Sequence, residues 1–188
     1  MEVFYSSTLK MARLTKIYTR TGDAGTTSLG NGERVSKNDP RINLCGDLDE
    51  CNSSIGILIE NVQSKDVLTF LSQVQNDLFD IGAQVTFPDY QAISQDKINY
   101  LESYLDGLNA ELKPLEEFVK PRGPNGAAYC HLSRSIARRC ERTAWELKST
   151  QELDKNILIY LNRLSDCLFV LARSLCERDS APEMWTKN

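Results

Sequence analysis

The sequence predicts an all-α fold, an up-down bundle of five helices preceded by a glycine-rich segment that is not helical. Two features point there. From Gly46 almost to the end, apolar residues recur at alternating steps of three and four, in five separate stretches. Residues 16–41, by contrast, are rich in Gly, Thr, Asn and charge, and no such period fits them.

In chain order, Leu48, Cys51, Ile55, Leu58 and Val62 place one apolar stripe on a first helix. Asp49 and Glu50 are expected to open it, since acidic side chains suit the positive end of a helix dipole. Pairing of Asp49 with a distant arginine is the alternative. Val67, Leu71, Val74, Leu78, Ile81 and Val85 form the second stripe, with Pro88 closing the helix. Ile98, Leu101, Leu105, Leu108 and Leu112 form the third. Tyr129, Leu132, Ile136, Cys140, Thr143 and Leu147 form a weaker fourth, its entry bracketed by Pro114, Pro121 and Pro124. Ile157, Leu161, Leu164, Leu168, Leu171 and Leu175 form a strong fifth. One-sided stripes must bury one another, and an antiparallel bundle does this economically. Residues 16–178 are expected to form one domain between a flexible tail, 1–15, and a C-terminal tail, 179–188.

A chain of 188 residues suits a single core. With 22 Lys and Arg against 26 Asp and Glu, the net charge is −4, which argues against a protein that neutralises a nucleic-acid backbone. Basic residues cluster only at 134–142, which suits a small anion. The most apolar run, 167–176, is short and carries Arg173, so no membrane-spanning helix is expected. The six cysteines, Cys45, Cys51, Cys130, Cys140, Cys167 and Cys176, contain no C-x-x-C pair. They read as small apolar residues of a reduced, non-secreted protein. The first fifteen residues hold Ser6, Ser7, Thr8, Lys10 and Arg13 with one acid, Glu2. They read as a tail; a mitochondrial targeting segment is the alternative, though they are short for one.

Three stretches carry chemistry. Thr19-Arg20-Thr21-Gly22-Asp23-Ala24-Gly25-Thr26-Thr27-Ser28 has the makings of a phosphate cradle, because glycines let backbone amides converge on an anion and hydroxyls add donors. Lys37 adds a nearby positive charge. It is not a P-loop: Gly25 and Gly30 have the spacing, but Asn31 stands where lysine is required. A plain glycine-rich turn between short strands is the alternative. In the second stretch Arg134, Arg138 and Arg142 stack on one helix face. Like charges at that spacing repel by roughly a few tenths of a kcal/mol per pair. A triphosphate, acidic side chains of a neighbouring helix, or plain solvation would offset this. In the third stretch Asn162, Ser165 and Asp166 share a polar face beside the strongest apolar stripe. They would order the arginine helix, contact a ligand or its Mg²⁺, or form a buried polar network.

Together these blocks resemble the PduO-type ATP:corrinoid adenosyltransferases, a family that includes the mitochondrial enzyme of vitamin B12 metabolism. The matching text is KIYTRTGDAGTTSL from Lys16, GERVSKNDPRI from Gly32, the run from Gly46 to Ser53, SRSIARRCER from Ser133, and YLNRLSDCLFVLAR from Tyr160. The resemblance implies a homotrimer of five-helix bundles, with ATP at each subunit interface. By matching positions, Thr19, Arg20, Thr21, Gly22, Thr27, Ser28 and Lys37 would wrap the nucleotide. Arg138, Arg139, Cys140, Glu141, Arg142 and Asn162 would bind it from the adjoining subunit, with Asn162 also near Mg²⁺. Asp49 and Arg134 would pair across the interface, and Phe118 would lie under the lower face of the corrin. Where the family usually carries a Leu-Pro-Gly-Gly stretch after that aromatic, this chain has the more charged Lys120-Pro121-Arg122-Gly123-Pro124-Asn125-Gly126.

The reaction implied is attack of cob(I)alamin cobalt on the 5′ carbon of ATP, with triphosphate leaving. Cobalt(I) is itself the nucleophile, which suits a chain with one histidine and no Ser-His-Asp or Cys-His pattern. A reductase would supply the reduced corrinoid and a B12-dependent mutase would take the product. The compartment implied is the cytoplasm in a bacterium and the mitochondrial matrix in a eukaryote. A nucleotide- or corrinoid-binding module without turnover is the second reading. A ferritin-like di-metal bundle needs paired Glu-x-x-His motifs, and the sole histidine, His131, has no Glu three residues before it. His131 is expected to be a packing residue.

Overall fold

The computed structural model describes residues 18–87, 89–177 and 181–187. A two-stranded antiparallel hairpin, β1 (Thr26–Ser28) and β2 (Arg34–Ser36), precedes five helices: α1 (Pro40–Ile59), α2 (Lys65–Thr86), α3 (Gln95–Ala110), α4 (Ala127–Thr150) and α5 (Lys155–Glu177). The expected N-terminal tail and Pro88 lie outside the described residues. Helix α2 ends at Thr86, where the Phe87 N–H bonds the Ala83 carbonyl. Among the described residues no helix is long and apolar enough to cross a membrane.

Helix α1 begins at Pro40, before the Gly46 boundary read from the periodicity. Asp39 caps it by accepting the Arg41 N–H at 2.9 Å, and Pro40 at the first turn lacks only an N–H that would go unused there. Asp49 and Glu50 therefore lie mid-helix and do not open it, so the dipole explanation for them falls away.

The helices alternate in direction. Helix α1 packs on α2 and α4, α4 on α5, and α5 on α3. The α3 and α5 neighbours run parallel: Asn156 bonds the Ile93 carbonyl at their starts, and Arg173 bonds the Lys113 carbonyl near their ends. The first, second and fifth stripes are wholly buried, from Leu48 to Val62, Val67 to Val85 and Ile157 to Leu175. The third is buried at Ile98 and Leu101 and only partly so at Leu105, Leu108 and Leu112. The fourth differs from expectation. Ile136, Cys140 and Leu147 of the expected stripe are buried, but Tyr129 and Leu132 are exposed, and α4 buries Cys130, Ser133, Ala137 and Ala144 in their place. Small side chains let α4 approach its neighbours closely. All six cysteines are free, and five are core residues.

Two of the anchors that hold α2 to the rest of the molecule lie away from its packing on α1. Asp77 is buried on α2 and accepts from Tyr160 Oη at 2.8 Å and Gln73 at 3.0 Å, with Lys97 Nζ at 2.8 Å. That network ties α2 to α3 and α5 with its carboxylate oxygens satisfied. At the other anchor the hairpin meets the end of α2. A Cβ on Gly30 would lie 1.9 Å from the Phe87 ring, so the ring rests directly on the glycine backbone. Leu29 and Val35 are buried beside it.

His131 is buried on α4, and neither ring nitrogen has a hydrogen-bond partner among the described residues. Burial, and then the Arg134 charge, hold its pKa below the ordinary value. The unfolded chain thus binds this proton more readily. The stability conferred by the neutral ring is complete above about pH 6.5 and is lost as pH falls through the folded value. Because the chain has one histidine, the loss between about pH 6.5 and the onset of carboxylate titration should be removed in His131→Phe, as urea melts across that range would read. Gly30→Ala should displace the Phe87 ring and speed amide exchange at Leu29 and Val35. Adding Phe87→Ala should slow that exchange again by giving the methyl room.

Candidate active site

The glycine-rich segment folds as a turn followed by the hairpin. Arg20 has φ 61°, a left-handed conformation that is costly for a side-chain-bearing residue and concentrates at functional loops. Gly25 at φ 81° takes a second such position without penalty, and its N–H bonds the Gly22 carbonyl at 3.1 Å. Its own carbonyl accepts the Lys37 N–H at 2.9 Å. The Lys37 ammonium lies 3.3 Å from where a Gly22 Cβ would stand, so that glycine admits the lysine over the turn. Thr19 and Thr21 share a hydroxyl–hydroxyl contact of 2.9 Å. Thr19, Thr21, Gly22 and Lys37 are thus brought together. Thr27 and Ser28 are consecutive strand residues and point to opposite faces of the hairpin.

On α4 the predicted binding run splits. Arg138 and Arg142 are exposed, with the Arg142 guanidinium donating to the Arg138 carbonyl at 3.0 Å. Arg139 turns the other way, to Asp47 at 3.1 Å and to Glu50 on α1, and these partners, Glu50 foremost, raise its pKa. Cys140 is in the core and its thiol donates to the Asp47 carbonyl at 3.1 Å. Glu141 accepts from the Asn162 amide at 3.0 Å, and the Asn162 carbonyl accepts from Arg163 at 2.7 Å. Asp166 lies one turn further along α5. Burial is the largest influence on it and raises its pKa, opposed by Arg163 and Arg138 and assisted by Glu141. Arg138, Glu141, Asn162 and Asp166 therefore form one polar cluster on the α4–α5 face.

Asp49 and Arg134 are not partners within the chain. Asp47 faces α4, and Asp49, about 200° further round the helix, lines a groove of about 710 Å³ between α1 and α2 with Cys45, Phe79 and Phe87. Arg134 on α4 has a buried Nε with no partner among the described residues.

Phe118 is 75% exposed in the α3–α4 connection. The C-terminal segment, expected from the sequence only as a tail, pairs with it. The Trp185 N–H bonds the Phe118 carbonyl at 2.7 Å, the Lys120 N–H bonds the Glu183 carbonyl at 2.8 Å, and Val119 bridges Met184. Trp185 is 47% exposed, so this strap carries two exposed aromatic residues joined through their main chains. The charged loop is clasped by Glu183, which pairs with both Lys120 and Arg122. Sequence reasoning misses Trp185 and Glu183 because three residues of irregular strand pairing leave no period to read. It misses Arg34 as well, since one arginine in a charged loop has no spacing signal.

Comparison with known proteins fits this picture. A family model described as cobalamin adenosyltransferase matches residues 17–175. A cobalamin adenosyltransferase from Cupriavidus metallidurans is 48% identical over 164 residues, covering 87% of this chain and 89% of its own. The corrinoid adenosyltransferase MMAB of Bos taurus is 35% identical over 191 residues, covering 95% of this chain and 79% of its own. Among solved structures, a variant PduO-type ATP:corrinoid adenosyltransferase from Lactobacillus reuteri, complexed with cobalamin and ATP, superposes with a TM-score of 0.86 at 28% identity. That match covers 90% of this chain and 96% of the other. A match over most of the chain in sequence, and over nearly all of it in fold, places this protein in the cobalamin adenosyltransferase family.

Proposed function

We propose that this chain transfers the 5′-deoxyadenosyl group of ATP to the cobalt of cob(I)alamin, and that each site is shared between two copies. One observation carries the shared site. The glycine-rich hairpin sits where α1 begins and α2 ends, whereas Phe118 sits where α3 ends and α4 begins. A 20-residue helix such as α1 spans about 30 Å. A nucleotide cradled by the hairpin and a corrin resting on Phe118 of the same chain would be too far apart for a direct transfer. A second copy, delivering its α4 face and Phe118 to the hairpin of the first, removes the mismatch. A homotrimer supplies such head-to-tail contacts in a closed ring. Asp49 in its exposed groove and Arg134 with its unpaired Nε would then meet across the interface. Breaking that pair from one side would be costly.

In the reaction the cobalt–carbon bond forms as the bond from C5′ to the triphosphate oxygen breaks, and the triphosphate keeps that electron pair. The protein's share is position and charge. Arg138 and Arg142, with Lys37 of the other chain, would stabilise the departing anion. The hydroxyls of Thr19 and Thr21 and the amides of the turn would hold the nucleotide in line. Arg139, Cys140 and Glu141 act one step back: their side chains fix α4 to α1 and orient Asn162. Phe118, and Trp185 beside it, would exclude a ligand from the lower face of the cobalt and so ease reduction of Co(II). No three His, Cys, Asp or Glu side chains converge among the described residues. An Mg²⁺ ion accompanying the triphosphate would be held by phosphate oxygens and water, with Asn162 as the side chain beside it. A reductase upstream and a B12-dependent mutase downstream complete the proposed setting.

Anaerobic incubation with chemically reduced cob(I)alamin and Mg-ATP should give the adenosylcobalamin spectrum. Arg138→Ala should lower the rate by about 10²–10³. No conversion by the unaltered chain, with ATP still bound, would leave a binding module. Phe118→Ala should impair turnover starting from Co(II) far more than ATP binding, and equal loss of both would remove that role. Mixing inactive Lys37→Ala with inactive Arg138→Ala under subunit exchange should restore about a quarter of the sites in a ring of shared interfaces. No recovery would place both groups in one chain's site.

A further inference from the structure

We propose that Arg34 is a positioning residue for the nucleotide loop: its guanidinium fork holds the turn at residues 19–25 against β1 in the shape that receives the triphosphate. The proposal rests on ATP binding at this hairpin.

Arg34 stands directly opposite Ser28 in the ladder. Side chains alternate along a strand, so Thr26, Ser28 and Arg34 share one face of the hairpin. From there the guanidinium reaches three acceptors. One terminal nitrogen donates to the Thr21 carbonyl at 2.8 Å and also to the Thr26 hydroxyl; the other donates to the Ser28 hydroxyl at 3.3 Å. A planar fork is suited to this work, because its donors are fixed relative to one another.

The turn needs such a tie. Residues 18–25 are exposed apart from Gly22, which is half-buried, so no core packing holds them. Arg20, adjacent to Thr21, is held in the left-handed region, and a conformation of that kind persists only when its surroundings enforce it. The Arg34 bond to the Thr21 carbonyl acts on the next peptide. Among the described residues no carboxylate lies within ion-pair range of Arg34, although Glu33 is its neighbour in sequence and pairs with Arg41. Arg34 is therefore not spoken for by a structural ion pair.

A fork and a point charge predict different outcomes for lysine. Lysine keeps the charge but cannot span a carbonyl and two hydroxyls. Steady-state kinetics with Mg-ATP and cob(I)alamin would be compared for the unaltered chain, Arg34→Lys and Arg34→Ala, alongside amide exchange of the ATP-free proteins. Both variants should raise KM for ATP about tenfold, lower kcat much less, and speed exchange at residues 21–25 without moving the midpoint of global unfolding. An Arg34→Lys variant with unaltered KM beside an Arg34→Ala variant with raised KM would overturn the proposal, since charge alone would then suffice. Unchanged exchange in Arg34→Ala would overturn it as well. If exchange quickens but neither Arg34 nor Lys37 substitution alters ATP binding, the loop role stands and it is the ATP reading of the hairpin that fails.

Discussion

Asp47 is the point at which the bundle is made specific. Its carboxylate accepts from Arg139 at 3.1 Å and from Thr143 at 2.6 Å, and its backbone carbonyl accepts from the Cys140 thiol at 3.1 Å. Three residues of α4 therefore converge on one residue of α1. The contact is close because α4 presents Ala137, Cys140 and Ala144 to its neighbours, with no large side chain between the backbones. Fixing α4 there fixes its rotation. With Arg139 turned inward to α1, Arg138 and Arg142 must face outward, and Glu141 must meet Asn162 on α5. The outward arginines are available because their neighbour in sequence is committed.

The hairpin follows a different logic. It buries little of its own surface and depends on a few contacts at one end of the bundle: Gly30 on the Phe87 ring, Leu29 and Val35 in the core, and Arg41 joining Glu33 to Asp39. At the opposite end, the strap formed by residues 183–185 and the Phe118 connection is held by main-chain bonds and the Glu183 clasp. A closely packed middle with two ends held by fewer contacts suits the proposed sharing of the site between copies, since each end leaves surface for its counterpart.

Much of this is legible in the sequence where packing is made by large apolar residues. The stripes of α1, α2 and α5 can be read residue by residue, and the glycine-rich segment stands apart from the helices. The reading fails where packing is made by small residues. On α4 the eye follows Tyr129 and Leu132, which are exposed, and passes over Ala137 and Ala144, which are buried. The start of α1 is hidden by charge, although Asp39-Pro40 is a capping signal in its own right. The polar groups are legible as types and spacings, and their partners are not. Nothing in the text distinguishes Arg139, bound to α1, from Arg138, on the outer face, because that depends on which way the helix is turned.

The cysteines have a practical side. Five of the six thiols are shut in the core, and burial drives the pKa of the Cys167 thiol up to about 12. Cys45 alone is partly open, in the groove it shares with Asp49, Phe79 and Phe87, and its thiol is also raised by burial. A maleimide fluorophore or nitroxide should therefore mark this one position in the separated chain, and marking should slow once copies assemble. The label would report from the α1–α2 groove, where a neighbouring copy is proposed to dock, without a single cysteine having to be engineered in or out.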